Sequence, residues 1–555
     1  MAEQTQSALD MFYKWEKERP GRVYLRQPVN GEWNEYTWGR VADESRRMAA
    51  ALQKLGIEPG DRVALVSKNC AHWLMADFAI MLTGAISVPL YPNQKAETTR
   101  YVLEHSESKL IFTGKLDDPD LIAAGIPDSV KTIGFPYPES DGIIKGTDYL
   151  WDDLIKKNKP VKGKRSHSLD DVLTYVYTSG TTGFPKGVIQ TYGAAAFATV
   201  RGNNLFGIGE HDRFISFLPL SHVAERFMVE MGSLYGCTRI SFVESMDTFA
   251  RDVVAVQPTV FFAVPRLWVK FQMGILEKMP QNKLDLLLKV PLLNRVIKKK
   301  LVEALGLNKA RRLISGAAPL APSVMDWFDR LGLEILEGYG LTENFAYGTI
   351  NIPEKRLKGS VGVSLPDSEL RISDEGEIQF KSPSVMKGYY LEPEKTAEAF
   401  TTDGWLKTGD RGKIDENGFI TITGRVKEIF KTTKGKYVAP APIENLMSEN
   451  TNIEQICVMG TNLPNPVALL VPSEAAREKP RDELMKDFRA TLDRVNAKLD
   501  HHEKMKKVIV VKDEWTVEEG MMTPTLKIKR NAVEDQYQNL VEASYDDADA
   551  VIWEN

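Results

Sequence analysis

Cysteine is scarce. The chain of 555 residues has three, Cys70, Cys237 and Cys457, far apart in sequence. None stands in a CxxC pair, so a cysteine metal site and a disulfide framework are excluded, and three buried thiols in a reducing cytosol are expected. An excess of one charge is also missing. Lys and Arg number 71 against 76 Asp and Glu, a net charge of −5. That balance argues against a dedicated nucleic-acid binder, although local basic patches remain open. The opening MAEQTQSALDMFYKWEKERP has no apolar core, so no secretory signal is expected and the cytoplasm is the expected location. Long apolar runs are few. The most membrane-like, Trp73–Leu90, contains Asp77, Gly84 and Pro89. A buried helix followed by a buried strand fits it better than a membrane span of about 20 residues. Internal repeats and low-complexity tracts are absent.

What is present is ordinary globular composition, 43% hydrophobic and 26% charged, which excludes disorder, collagen and coiled coil as the main architecture. At roughly 150 residues per domain the length allows two to four domains. Strand-like segments such as Arg62–Ser67, Leu110–Thr113 and Leu173–Tyr177 alternate with helix-like ones such as Ala96–Glu107. This alternation predicts an α/β fold. After Gly424 the texture changes to short strands and turns, then a charged helix over Arg481–Asp500, a last strand at Val508–Val511, and a loop and tail. That pattern predicts a large domain over residues 1–425 and a small α+β domain over 426–555.

Two segments concentrate positive charge. Lys156–Arg165 holds six basic residues in ten, reading as a solvated linker, with contact to an anionic phosphate or lipid headgroup as the alternative. Lys283–Leu305 is apolar, then basic around Lys298, Lys299 and Lys300, with Pro291 dividing it into two helices. A surface helical hairpin packed on the core is expected there. A membrane-surface contact is the alternative.

The strongest local signal is Tyr177–Val188, YTSGTTGFPKGV, which follows a strand and precedes an Ala-rich helical stretch. Gly180, Gly183 and Gly187 let backbone N–H groups approach an anion, and Thr178, Ser179, Thr181 and Thr182 add hydroxyl donors. Lys186 adds a compact cation. This is phosphate-cradle chemistry. It is not a Walker loop, because Pro185 stands where that loop has its second glycine and Gly187 where it has its magnesium-binding Ser or Thr.

YTSGTTGFPKGV resembles the phosphate-loop signature of the adenylate-forming superfamily, which includes acyl-CoA synthetases, peptide-synthetase adenylation domains and firefly luciferase. Six further motifs match in the family's order: LPLSH (Leu218–His222), SGAAPL (Ser315–Leu320), GYGLTE (Gly338–Glu343), GWLKTGD (Gly404–Asp410), GRVKEIFK (Gly424–Lys431) and TPTLKIKR (Thr523–Arg530). The resemblance implies a large N-terminal domain of mixed β-sheets layered with helices and a small mobile C-terminal α+β domain. It implies ATP and CoA as co-substrates, with Mg2+.

The same resemblance implies residue roles. Thr178, Ser179, Gly180, Thr181, Thr182, Gly183 and Lys186 hold phosphates, and Gly316, Ala317, Ala318, Gly338, Tyr339 and Gly340 hold the nucleotide. Tyr339 offers a flat face to adenine. Thr342 and Glu343 act in catalysis, and Thr182 and Glu343 hold the metal, a carboxylate beside a triphosphate being a natural magnesium ligand. Asp410 accepts from ribose hydroxyls, as acidic residues do in dinucleotide folds, and Arg425 adds a ribose or phosphate contact. His222 and Gly316 line the acyl pocket. His222 is not assigned as a base, because a fatty-acid carboxylate is already ionised at pH 7. Lys527 precedes Ile-x-Arg and so matches the family's catalytic lysine in preference to Lys529; Thr525–Leu526 stands where many relatives have Ser–Gly. Lys427 takes the hinge position, and Gly435, Lys436 and Tyr437 line a CoA channel.

LPLSHVAER, VPRLW (Val264–Trp268) and TPTLKIKR together resemble bacterial long-chain fatty acid–CoA ligases, AMP-forming. The partners implied are fatty acid, ATP and CoA. The residues after Lys527 hold no GGxS carrier site, so an external acyl acceptor is expected. An acyl-AMP ligase loading a carrier protein, and a CoA ligase for medium-chain or aryl acids, stay open. So do oligomeric state, a homodimer included, and a peripheral contact at the inner membrane face.

Overall fold

The computed structural model describes residues 6–178, 184–523 and 527–554. An eight-stranded sheet forms the first layer. Its strands run in the order Gly388–Tyr389, Lys186–Thr191, Val172–Thr178, Ile86–Leu90, Arg62–Val66, Ser108–Thr113, Lys131–Gly134 and Tyr149–Leu150. The last six are mutually parallel, while Lys186–Thr191 runs antiparallel to both its neighbours. Parallel strands are buried on both faces and therefore read as continuous apolar runs. Ile86–Leu90 is buried at every position.

The membrane-like run resolves as expected, into the helix Ala71–Thr83 and the strand Ile86–Leu90. All thirteen helix residues are buried. Gly84, at φ 79°, ends the helix in the left-handed region where glycine carries no Cβ penalty. Asp77 survives inside it because the Arg226 guanidinium donates to its carboxylate at 2.9 Å.

A second, five-stranded sheet runs Val260–Ala263, Arg312–Ser315, Ile335–Tyr339, Thr349–Ile350 and Val363–Ser364. A four-stranded sheet joins Arg213–Ser216, Arg239–Phe242, Val23–Val29 and Glu32–Thr37, and another joins Glu369–Ile372, Glu377–Lys381, Leu406–Ile414 and Ile420–Arg425. The last of these strands is followed by a single 3-10 turn, Val426–Glu428.

Beyond it lie the hairpin Phe430–Lys431/Tyr437–Val438 and the sheet Ile453–Met459, Val467–Pro472, Lys507–Val510, Val551–Trp553. The charged helix spans Arg481–Asn496, with Asp482 and Glu483 in its first turn and Arg494 in its last, matching the helix dipole. It buries Leu484, Phe488, Leu492 and Val495 along one stripe. Core clusters there draw only on residues from Phe430 onward, and the other clusters end at Ile422.

Two sequence expectations need correction. The stretch after Val511 is not only loop and tail. A helix, Arg530–Ser544, buries Val533, Tyr537 and Val541 at four-residue spacing, and Val551–Trp553 adds a parallel strand. Three residues are too few for a periodic signal, and the pairing with Val508–Val510 decides their state. The phosphate-loop motif follows a strand and precedes the Ala-rich helix Tyr192–Phe206 as expected, with the strand Lys186–Thr191, whose Lys186 pairs with Thr178, leading into that helix. Finally, Lys156–Arg165 is tied to the core more closely than a solvated linker. Arg46 donates to the carbonyls of Val161 and Gly163, Arg47 to that of Asn158, and the Arg165 N–H to Tyr13 Oη.

All three cysteines are buried. Among the described residues no helix is long and apolar enough to cross a membrane.

Candidate active site

The motif residues come from strand ends and the turns after them. Ile335–Tyr339 is the central strand of its sheet, and a 3-10 turn, Thr342–Asn344, follows it. The backbone there is tight: a Cβ on Gly340 would stand 2.5 Å from the Ala346 carbonyl. Gly316 ends the neighbouring strand, where a Cβ would come within 3.2 Å of the Gly338 carbonyl oxygen. Gly316 is buried, whereas Ala317 and Ala318 are exposed, Ala317 at φ 67°. The loop is held from beneath by Glu337, whose Oε1 accepts from the Leu320 N–H at 3.0 Å. Burial pushes the Glu337 carboxyl up to about 7.

Tyr339 Oη donates to Asp410 Oδ2 at 2.6 Å, and Arg425 Nε donates to Asp410 Oδ1 at 3.0 Å. Strand pairing sets this geometry, because Asp410 and Arg425 face each other in register on Leu406–Ile414 and Ile420–Arg425. Burial, then the negative Asp410, pushes the Tyr339 hydroxyl well up, so it stays a donor.

Glu343 Oε1 accepts from Tyr389 Oη at 2.8 Å. Lys186 Nζ sits 4.8 Å from the centroid of the same Tyr389 ring, a cation–π distance. Gln190 Nε2 donates to the Thr342 carbonyl at 2.6 Å, tying the strand after Lys186 to the Thr342–Glu343 turn. Tyr389 and Gln190 carried no signal in the sequence, because both contacts join segments far apart along the chain.

His222 caps the short helix Val223–Glu225, its Nδ1 accepting from the Ala224 N–H at 3.1 Å. Nε2 then carries the proton of the neutral ring and can donate it. Burial, and next the positive Lys527, bring His222 down to about 4. Behind it Glu225 accepts from Ser216 Oγ at 2.7 Å and from Asn69, and burial raises its carboxyl to about 8. The chain continues as a π-helical turn, Arg226–Met231, whose fully buried Arg226 faces Asp77 and Glu230. The motif LPLSHVAER thus packs a buried ion cluster behind its histidine.

Lys527 lies on a loop closed by Thr523, whose Oγ1 accepts from the Lys527 N–H at 3.1 Å and whose N–H donates to the Lys527 carbonyl at 2.8 Å. The Lys527 side chain is exposed. Desolvation and then Arg425 lower its pKa, while Asp410, Glu343 and Glu428 oppose the shift. Three residues after Lys527 in the same motif, Arg530 serves a different end, donating to Glu444 Oε1 at 2.7 Å and to the Val458 carbonyl at 2.6 Å.

These contacts join Tyr339, Asp410 and Arg425 in one set and Lys186, Thr342 and Glu343 in another through Tyr389 and Gln190, with Thr178 paired to Lys186 and Gly316 close against Gly338, while the hydrogen bonds of His222 and Lys527 stay within their own segments. Ser179, Gly180, Thr181, Thr182 and Gly183 lie outside the described residues. Lys427 is exposed on the 3-10 turn after Arg425. Gly435, Lys436 and Tyr437 form the exposed turn of a two-stranded hairpin, with Lys431 over the Tyr437 ring, and their contacts stay within that hairpin.

Among the described residues no group of three or more His, Cys, Asp or Glu is arranged to hold a metal. Among the described residues no hydrogen-bond donor reaches the second carboxylate oxygen of Glu343. That suits Mg2+, which binds through one or two carboxylates together with substrate phosphates and water.

The model of the family described as AMP-binding enzyme matches residues 12–390, and that of the AMP-binding enzyme C-terminal domain matches residues 427–549. The chain belongs to the AMP-binding enzyme family. Among relatives, long-chain-fatty-acid–CoA ligase FadD15 of Mycobacterium tuberculosis is 31% identical, covering 96% of both chains. Fatty acyl-CoA synthetase A of Dictyostelium discoideum is 29% identical over 94% of this chain and 88% of its own. Solved structures of the family share the fold. The anthranilate CoA ligase AuaEII, in complex with anthranoyl-AMP, superposes with a TM-score of 0.78 at 20% identity, covering 96% of this chain and 97% of its own. ATP-bound MatB from Rhodopseudomonas palustris gives 0.76 at 24%, covering 96% and 100%.

Proposed function

We propose that this enzyme is an AMP-forming long-chain fatty acid–CoA ligase. A carboxylate oxygen of the fatty acid attacks the α-phosphorus of ATP, an O–P bond forms, and pyrophosphate leaves with the broken P–O bond. The thiol of CoA then attacks the acyl carbon of the adenylate, and AMP leaves. The full-length relatives named as long-chain ligases support the substrate class. The observation that supports the chemistry is Asp410 held between Tyr339 and Arg425, with the Glu343 carboxylate fixed by Tyr389.

In this reading Lys527 neutralises charge growing between the fatty-acid oxygen and the α-phosphate, the preorganised electrostatic stabilisation on which transfer reactions depend. Thr178, Ser179, Gly180, Thr181, Thr182, Gly183 and Lys186 hold the phosphates. Tyr339, with Gly338, Gly340, Gly316, Ala317 and Ala318, holds adenine. Asp410 and Arg425 hold ribose, and Thr342 orients the phosphate. His222 donates from Nε2 toward the acyl oxygen, with Gly316 beside it. Mg2+, held by Glu343 and Thr182, would shield phosphate charge.

The second half-reaction needs the thiol where Lys527 stands in the first. A small domain over 426–555 turning at Lys427 resolves that conflict and brings Gly435, Lys436 and Tyr437 to the CoA channel. The reading extends to a peripheral membrane contact through residues 283–305.

The deciding experiment supplies palmitate, ATP, magnesium and CoA, and omits each in turn. AMP and pyrophosphate appearing only with the acid, and palmitoyl-CoA only with CoA, are expected. AMP without transfer to CoA would indicate a carrier-loading ligase. No AMP with palmitate but AMP with shorter or aryl acids would move the substrate class. ADP as product would overturn the reading.

A further inference from the structure

One side chain outside the motifs holds the loop that ends at His222. Asn69 is buried in the turn between the strand Arg62–Val66 of the eight-stranded sheet and the helix Ala71–Thr83. Its Oδ1 accepts from the Leu220 N–H at 3.0 Å, and its Nδ2 donates to the Leu218 carbonyl at 2.6 Å. The amide thus takes the N–H after Pro219 and the C=O before it, as a residue of a neighbouring parallel strand would. Pro219 has no N–H of its own to anchor that stretch.

The same Nδ2 reaches the far side of His222. It donates to Ser216 Oγ at 2.8 Å and lies 3.3 Å from Glu225 Oε1, and Ser216 Oγ donates to that same oxygen at 2.7 Å. An asparagine side chain offers one acceptor oxygen and two N–H donors. Here all of them are committed to residues 216–225. His222 lies between the two holding points. Its N–H donates to the Pro219 carbonyl at 2.9 Å, and its own carbonyl accepts from the Glu225 N–H at 3.1 Å. The Ala224 N–H on Nδ1 then sets which way the ring faces.

Ser216 ends the strand Arg213–Ser216 of a different sheet, 147 residues from Asn69. The clamp therefore ties two sheets together at the loop between them. An apolar residue of similar size would fill the same volume. It would leave the Leu218 carbonyl, the Leu220 N–H and the Ser216 hydroxyl without this partner, and the loop would shift to find others. We propose that Asn69 is a positioning residue that fixes the place and direction of the His222 ring and, through that ring, the rate of adenylation. The kinetic half of this inference rests on the reading in which His222 Nε2 donates toward the acyl oxygen.

The test uses the full chain with Asn69→Ala. Ser216→Ala, which removes a single hydroxyl from the clamp, takes its place if Asn69→Ala does not fold. The first measurement needs no substrate. His222 is one of seven histidines, so its ring signals in [15N]histidine-labelled protein are found by their loss in His222→Ala. In the parent, burial and the positive Lys527 keep the ring neutral down to about pH 4. Asn69→Ala should open the ring to water and carry its titration toward about 6.5. The second measurement is acid-dependent pyrophosphate release, with whichever acid supports AMP formation. The kcat should fall by about 10- to 100-fold, the scale on which a misplaced group acts, with KM for ATP close to the parent's. In a His222→Ala background the same substitution should cost less than about twofold. An unchanged His222 titration overturns the proposal. So do losses that multiply without coupling in the double variant, and so does a lowered melting temperature with kcat unchanged. Adenylation by His222→Ala at the parent rate would instead overturn the role read for His222, and the ring signals would then decide the clamp by themselves.

Discussion

The hydroxyl of Tyr389 donates to Glu343 Oε1 at 2.8 Å, while its ring lies 4.8 Å from Lys186 Nζ. One side chain therefore bridges the acid of GYGLTE and the lysine of the glycine-rich loop. Burial and the adjoining carboxylate push the Tyr389 hydroxyl up, so it stays a donor at every working pH. A hydrogen bond to a charged group contributes about 1.5–3 kcal/mol. Tyr389→Phe keeps the ring under Lys186 and removes only the donor. Adenylation should fall by roughly tenfold or more, with KM for ATP affected less than kcat. An unchanged kcat would mean that Glu343 needs no such anchor.

Lys527→Ala removes a cation expected to act only while the carboxylate meets the α-phosphate. Adenylation should slow by about 100-fold or more, the scale on which preorganised donors act. Transfer from preformed acyl-AMP to CoA should proceed at close to the parent rate. Stopped-flow measurement of each half-reaction separates the two, and normal adenylation by the variant would remove Lys527 from its assigned role.

Lys427 occupies the 3-10 turn between the strand ending at Arg425 and the hairpin starting at Phe430. Lys427→Pro fixes φ near −65° at that turn. One half-reaction should be lost far more than the other. Equal loss of both would show that the turn is not the pivot. Arg266, before the Lys427 turn, pairs with Glu454, after it, a contact that rotation about Lys427 would break.

Glu337 sets a pH dependence. Burial raises its carboxyl from about 4.5 in the unfolded chain to about 7 in the folded protein, against the lowering effect of the Leu320 N–H. Between those values the folded state holds a proton that the unfolded state has released. Stability from this group is therefore full below about pH 4.5, declines as pH rises, and is gone above about pH 7. Glu337→Gln keeps an oxygen for Leu320 and abolishes the titration. Its melting temperature should exceed the parent's at pH 8 and converge with it at pH 4.5, a difference on the order of 2–4 kcal/mol at the high end. A constant difference across that range would refute the assignment.

Much of the fold was legible because it is local. An apolar run interrupted by Asp77, Gly84 and Pro89 marked the helix Ala71–Thr83 and the strand after it and spoke against a membrane span. The C-terminal strand Val551–Trp553 was not legible, since its extended state comes from pairing with Val508–Val510 and not from its own three residues. Nor was the strand opening at Lys186, whose extended state comes from pairing with Val172–Thr178.

The site divides in the same way. Roles for Tyr339, Glu343, Asp410 and Lys527 were expected because the short motifs that hold them resemble those of the adenylate-forming superfamily. The sequence by itself determined which groups are available. Tertiary structure alone decided that Tyr389 reaches Glu343 across 46 residues and Gln190 reaches the Thr342 carbonyl across 152. It also decided that Glu225 is a buried carboxyl raised to about 8, and that five aliphatic side chains of the 281–304 hairpin face outward while Leu284 faces in. Proximity and burial depend on how distant segments pack, and no spacing along a chain encodes either.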